Sequence, residues 1–310
     1  MLPYIAPSLR AHILNILLSH ASDNDSIPVE SDSEEDPYTL RSTVTKGGST
    51  AVGAFATCDI ERGEPIVTER AICIWPQELK REEAEALFEQ MSDHARDALL
   101  ALANVAPSDL GEVLGRRATN GFNVEVPELE MEWAGVYKDE KGEGKGEIRP
   151  SHAGFIFPRI ARMNHSCLNN ADHAIDWSNL LMTVYATTPL AEGQEITIEY
   201  TSALIQRTRA ERQAILQDSF MFSCACECCS LTGEALAASD RRRKEVNEIV
   251  VGIASGGFER PTVLKGFARM AQLIEEEGYM GMPEFSDPGV TGAYHMWVQM
   301  VKRRMASEED

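Results

Sequence analysis

Four cysteines crowd into six residues, Cys224-Ala225-Cys226-Glu227-Cys228-Cys229. Cys224, Cys226 and Cys229 stand at C-x-C-x-x-C spacing, which suits three thiolate ligands of one metal ion. A tetrahedral structural zinc wants four such ligands. Cys228 adjoins Cys229, and sequence neighbours rarely both reach one tetrahedral ion. The fourth ligand then lies elsewhere, at Cys58, Cys73 or Cys167. Cys167 is preferred, because it ends the polar stretch Asn164-His165-Ser166-Cys167, which follows the apolar approach Phe155-Ile156-Phe157. The plain alternative is a redox-active or merely buried cysteine set, but four cysteines in six residues make a poor apolar core. A third polar stretch is Glu195-Ile196-Thr197-Ile198-Glu199-Tyr200. A tyrosine closing a strand is ordinarily a core or rim residue, and an Asn-His pair is ordinarily a turn. Their company with the cysteines is what suggests a site.

The chain behind these residues is 310 long with 43% hydrophobic residues, enough for one large or two modest domains. Acidic residues outnumber basic ones 49 to 29, a formal charge of -20. That charge repels phosphates and disfavours direct nucleic-acid binding, while it favours basic, Lys-rich partners. It also simply keeps a protein soluble. No apolar run reaches the roughly 18 residues of a membrane helix, and residues 9–18 do not make a signal peptide. The expectation is a monomer without membrane contact, nuclear and/or cytoplasmic. Seven cysteines with this clustering point to metal rather than a disulfide framework.

Residues 4–20 read as a short amphipathic helix. Residues 22–36 carry seven carboxylates and no basic residue, an exposed linker. Strands are expected at Leu40–Val44, Val52–Ala56 and Pro65–Glu69, with a turn at Glu61–Glu64. From about 77 to 117 the apolar period becomes helical, through Leu79, Ala84, Leu87, Phe88, Met91, Leu99, Leu100 and Leu102. The charged, Gly-rich run 138–147 is a loop. Strands resume near 154–157, 180–185 and 195–200, and a helix covers 204–217. Asp172 and His173 read as a solvated loop. Three helices fit the tail, 233–306. Arg241-Arg242-Arg243-Lys244 reads as the charged start of one rather than an import signal.

Asn164-His165-Ser166-Cys167, Gly193 to Tyr200 and the cysteine triplet together resemble a SET-domain protein lysine methyltransferase with its post-SET zinc module. Val52 to Ile60 and Gly63-Glu64-Pro65-Ile66 look like that domain's first strands. The helical insert, Thr119-Asn120-Gly121-Phe122 and the helical tail are most similar to the SET-and-MYND (SMYD) branch and its fungal relatives. The resemblance covers about residues 40–230. It implies an α+β fold: a SET β-fold of small sheets with a threaded C-terminal segment, a helical insert, a post-SET zinc module and a helical tail. Divided so, 1–37 are an N-terminal helix and acidic linker, and 38–203 the SET domain with its insert at about 77–150. Residues 204–230 form the zinc module and 231–310 the helical region. The chain departs from the family pattern in having no MYND finger. It also has Ala51 for the first glycine of the Gly-x-Gly cofactor loop, Asn169 for a proline, and Phe220 for a tyrosine before the last cysteines.

The family reaction moves a methyl group from S-adenosylmethionine to a lysine amine. The amine must be neutral to attack, yet a free lysine has a pKa near ~10.4. A narrow apolar channel beside a cationic sulfonium depresses it, and alignment supplies the rest. The resemblance implies that Tyr200 lines the channel with its hydroxyl near the transferred methyl. It implies that Thr50, Ala51, Val52 and Gly53 form the cofactor loop, that Asn164 and His165 hold the cofactor, that Phe222 stacks on adenine, and that Asn120 reaches the methionine end. Phe220 would line the substrate channel and, lacking a hydroxyl, leave room for higher methylation. One structural zinc would sit on Cys167, Cys224, Cys226 and Cys229. The implied substrate is a histone or another basic, Lys-containing protein. The competing expectation is a catalytically weak or inactive SET scaffold that binds a partner.

Overall fold

The computed structural model describes residues 4–5, 36–44, 50–76, 79–125, 152–176, 179–201, 204–255 and 260–279. In chain order the strands are β1 Tyr4–Ile5, β2 Tyr38–Val44, β3 Thr50–Ala56, β4 Pro65–Arg70, β5 Cys73–Pro76, β6 Phe122–Glu125, β7 His152–Ile156, β8 Asn164–His165, β9 Ala171–Asp176, β10 Leu181–Ala186 and β11 Glu195–Ile198. The helices are α1 Arg81–Phe88, α2 Asp93–Leu100, α3 Gly111–Asn120, α4 Arg209–Phe220, α5 Gly233–Ala254 and α6 Arg260–Glu276. This is the mixed α+β content expected. None of the described helices is long and apolar enough to cross a membrane.

The chain forms two compact units. The first takes its described residues from 4–5, 69–161 and 176–182, the second from 36–68, 162–175 and 183–279. In the first, a sheet of order β1-β5-β7-β6 packs against the three short helices. All four residues of β5 are buried. Such a strand shows no polar alternation in sequence. Trp75 and Ile156 meet Ala84, Leu99, Val113 and Leu114 in one core. Ser92 caps α2 by accepting from the Ala95 N–H at 3.3 Å. Arg117 of α3 is buried and donates to the Pro76 carbonyl at 2.6 Å. A Cβ on Gly154 would lie 2.7 Å from that guanidinium, so the glycine of β7 makes space for it.

In the second unit a sheet of order β2-β3-β11-β8 carries the polar stretches. β2 and β3 pair antiparallel from Tyr38↔Ala56 to Val44↔Thr50. β11 pairs antiparallel with β3 at Glu195↔Phe55, and parallel with β8 at Thr197↔Asn164 and Ile198↔His165. A second sheet has the order β4-β10-β9. The expected turn at Glu61–Glu64 is present, with Gly63 at φ 90. Thr208 and Glu211 form a reciprocal cap at the start of α4. α5 and α6 pack through Val246, Leu273 and Ile274.

Several expectations need correcting. Tyr4 and Ile5 are not helical; they form a strand parallel to β5, through Tyr4↔Cys73 and Ile5↔Ile74. The rest of 4–20, nearly all of the 22–36 linker, the 138–147 loop and the third tail helix lie outside the described residues. Asp172 and His173 belong to strand β9, with side chains 14% and 27% exposed rather than solvated. Burial raises the Asp172 carboxyl and lowers the His173 imidazole, so each is driven towards its neutral form. The helix expected from 204 begins at Arg209, after a 3-10 turn at Leu204–Gln206, because Thr208 is its cap. Arg241 to Lys244 lie inside α5, not at its start, and Arg243 is fully buried because it pairs with Glu277 at 2.7 Å.

Candidate active site and metal centre

The metal centre is built by a short strand, a turn and the end of a helix. β8 delivers Cys167 just beyond its end, and the chain leaving α4 delivers Cys224, Cys226 and Cys229. Their four sulfurs lie within 4.8 Å of one another. Cys167 Sγ is 3.9 Å from Cys224 Sγ and 3.6 Å from Cys229 Sγ. A tetrahedral zinc with Zn–S near 2.3 Å separates its sulfurs by about 3.8 Å, so the spacing fits that ion. Cys58 is exposed and Cys73 lies in the core of the first unit, and neither belongs to the four. Cys228 stands aside too, buried, with its Sγ 3.5 Å from that of Cys226. Hydrogen bonds among the thiols, those with Cys167 first, pull Cys226 and Cys229 well below the usual thiol range.

Sequence reasoning missed two residues here. Arg212 and Arg243 are both fully buried. Arg212 Nη2 donates to Cys229 Sγ at 3.5 Å and Cys228 Sγ at 3.7 Å, and Arg243 Nη2 donates to Cys228 Sγ at 3.8 Å. Buried cations beside a thiolate cluster offset its negative charge. Arg212 follows its capping residue by one helical turn and faces inward with Leu216. That periodicity was the available signal, and nothing in the composition marked it.

Tyr200 sits just past β11, which ends at Ile198 rather than continuing to 200. Its hydroxyl donates to the Met163 carbonyl at 2.9 Å, and its N–H donates to His165 Nδ1 at 3.2 Å. Its ring centre is 5.1 Å from that of Phe220, 5.3 Å from His165 and 6.3 Å from Phe222. Burial, with the Glu195 charge added, pushes the Tyr200 phenol up, so it stays a neutral hydroxyl. Burial pushes His165 down to about 4, so its imidazole is neutral. His165 Nε2 stands 3.3 Å from Cys167 Sγ. The ring thus bridges the aromatic cluster and the sulfur cluster. Phe220 is the last residue of α4 and Phe222 follows Met221, whose φ of 58 is left-handed. That turn lays both phenylalanines on the cluster while Met221 is 51% exposed.

Thr50 to Gly53 are strand β3, not a loop, because they pair residue by residue with β2. Gly53 is buried against the Asn164 side chain, whose Nδ2 donates to Glu195 Oε1 at 2.7 Å. Asn169, where the family pattern has proline, is buried and donates to the Ala171 carbonyl at 2.8 Å. So the second unit brings together Gly53, Asn164, His165, Tyr200, Phe220, Phe222 and the four cysteines. Asn120 belongs to the first unit, at the end of α3, where Nδ2 donates to the Ala103 and Arg116 carbonyls, both at 2.7 Å.

Residues 51–201 match the SET domain family. Histone-lysine N-methyltransferase set5 of Schizosaccharomyces pombe is 27% identical over 198 residues, 63% of this chain and 52% of that protein. Protein-lysine N-trimethyltransferase SMYD5 of Homo sapiens is 32% identical over 95 residues, 30% of this chain and 22% of that one. Protein-lysine N-methyltransferase SMYD4 of Homo sapiens is 34% identical over 86 residues, 28% of this chain and 10% of that one. The chain therefore spans about half the length of the first relative and less than a quarter of the other two. The matched stretch holds β3 from Ala51 on, the Asn164–Cys167 segment, β11 and Tyr200, and over it this chain is similar to the SET-domain family.

Proposed function

We propose that this protein is an S-adenosylmethionine-dependent protein-lysine N-methyltransferase with one structural zinc. The observation that carries the reading is the setting of Tyr200: a half-buried, neutral hydroxyl among His165, Phe220 and Phe222. S-adenosylmethionine would supply an electrophilic methyl on a cationic sulfur, and the chain's residues do the rest. Tyr200 and Phe220 wall an apolar passage in which a lysine amine loses its proton more readily than in water. The Tyr200 hydroxyl, held by its hydrogen bond to the Met163 carbonyl, would offer its oxygen towards the methyl group to be transferred. Asn164, His165 and the strand residues Thr50, Ala51, Val52 and Gly53 would hold the cofactor, with Phe222 on the adenine. Cys167, Cys224, Cys226 and Cys229 would hold the zinc, with Arg212 beside Cys229 offsetting its thiolate charge.

The substrate class is a basic, Lys-containing protein, histone or not. The net charge of -20 supports this, as do relatives named for histone and protein lysine methylation. The reading extends to a monomer with no direct nucleic-acid or membrane partner, working in the nucleus and/or cytoplasm. Labelled methyl transfer to Lys-rich acceptors tests it. Wild type transfers label, and Tyr200→Phe loses at least about 10²-fold. Undiminished transfer by the variant would remove Tyr200 from the mechanism. The second reading, a SET scaffold without catalysis, is favoured by Ala51 in place of glycine. A folded, zinc-loaded protein that takes up no S-adenosylmethionine in calorimetry would establish that reading.

A further inference from the structure

Glu195 has no part in the function proposed above, yet it stands where two of its cofactor elements meet. It opens β11 opposite Phe55 of β3. Its Oε1 accepts from Asn164 Nδ2 at 2.7 Å. Its backbone is pinned as well: Asn170 Nδ2 donates to the Glu195 carbonyl at 2.8 Å, and the Thr197 N–H donates to Asn170 Oδ1 at 2.8 Å. Gly53 leaves the pair its room. A Cβ there would lie 2.5 Å from Glu195 Oε1 and 2.8 Å from Asn164 Nδ2.

Two consequences follow from the chemistry of the pair. A carboxamide has a donor end and an acceptor end, and the carboxylate settles which faces it, since the flipped amide would set two oxygens 2.7 Å apart. With Nδ2 committed, Asn164 Oδ1 is left to accept. The Glu195 carboxylate also acts on Tyr200, where it adds to the rise in the phenol's pKa. A half-buried anion beside a fixed acceptor selects a cation. S-adenosylmethionine has two cationic groups, an α-ammonium and a sulfonium.

We propose that Glu195 is a positioning residue for the cofactor: it turns the Asn164 carboxamide so that its oxygen accepts from the α-ammonium, and its charge favours the cationic cofactor over uncharged analogues. This rests on the methyltransferase reading. Calorimetry on the zinc-loaded full chain separates the two, using S-adenosylmethionine, S-adenosylhomocysteine, which keeps only the ammonium, and 5′-methylthioadenosine, which keeps neither charge. Glu195→Ala is expected to weaken the first two by about tenfold or more, and to leave methylthioadenosine within about twofold. Glu195→Gln keeps an acceptor for Asn164 and is expected to fall between, which covers the case where Glu195→Ala folds poorly. Equal losses for all three ligands, or no loss, would overturn the proposal and leave Glu195 a sheet residue. A wild type that binds none of the three would overturn the methyltransferase reading itself, and this one with it.

Discussion

Glu199 shows how far one side chain can depart from its ordinary chemistry. Burial pushes its carboxyl up to about 7, against the hydrogen bond it accepts from the Leu204 N–H at 2.9 Å. The folded pKa lies above the unfolded value, so the folded state holds the proton more tightly. The stability this confers is full below about pH 4.5 and is lost as pH rises through about 7. Thermal melts from pH 5 to 8 should fall over that window. Glu199→Gln should flatten the fall and be the more stable form at pH 8, by roughly 2 kcal/mol. Met221 makes a second case. A left-handed Met costs about 1 kcal/mol, so Met221→Gly should melt no lower than wild type, and a clear drop would mean that the side chain packs more than its exposure shows. Phe220 is the third. Its ring centre is 5.1 Å from that of Tyr200, and Phe220→Tyr would place a hydroxyl in that apolar wall. Mass spectrometry of a peptide product should show higher methylation for wild type and a shift to fewer methyl groups for the variant. Only monomethyl product from wild type would contradict it.

At the scale of elements, β8 and the residues after it tie the two clusters together. Asn164 meets Glu195, His165 takes the Tyr200 N–H on Nδ1 and faces Cys167 on Nε2, and Cys167 joins the sulfur cluster. Cys167→Ser should therefore lower zinc content and, through His165 and Tyr200, cofactor affinity as well. Zinc loss with unchanged affinity would break that coupling. The two clusters were legible in sequence because the soft and polar residues themselves are diagnostic: four cysteines in six residues leave few readings, and the Cys167 sulfur lies within 4.8 Å of three of theirs. Elements that lack periodicity were not legible. β5 is four buried residues, β8 is two, and β9 mixes Asp172 and His173 with alanines, so none alternates cleanly. The start of α4 was readable, since Thr208-Arg209-Ala210-Glu211 is a capping-box pattern. Arg243 could not be read as a buried ion, because its partner Glu277 is contributed from beyond the end of α6.

For the whole molecule, the charge of -20 and the site pull in one direction. On the proposed reading, an acidic protein with a neutral phenol, a neutral imidazole and phenylalanines at its site would attract a basic substrate from afar and then strip water from its amine. The SET-domain match over residues 51–201 and the sulfur geometry are findings, and catalysis is the claim built on them. The most direct test supplies S-adenosylmethionine with a heavy methyl group and the zinc-loaded full chain to a cell extract, and maps methylated lysines by mass spectrometry. The account predicts heavy methyl on lysines of basic proteins with wild type and none above background with Tyr200→Phe. Zinc-loaded, folded protein that leaves every lysine unlabelled would contradict it.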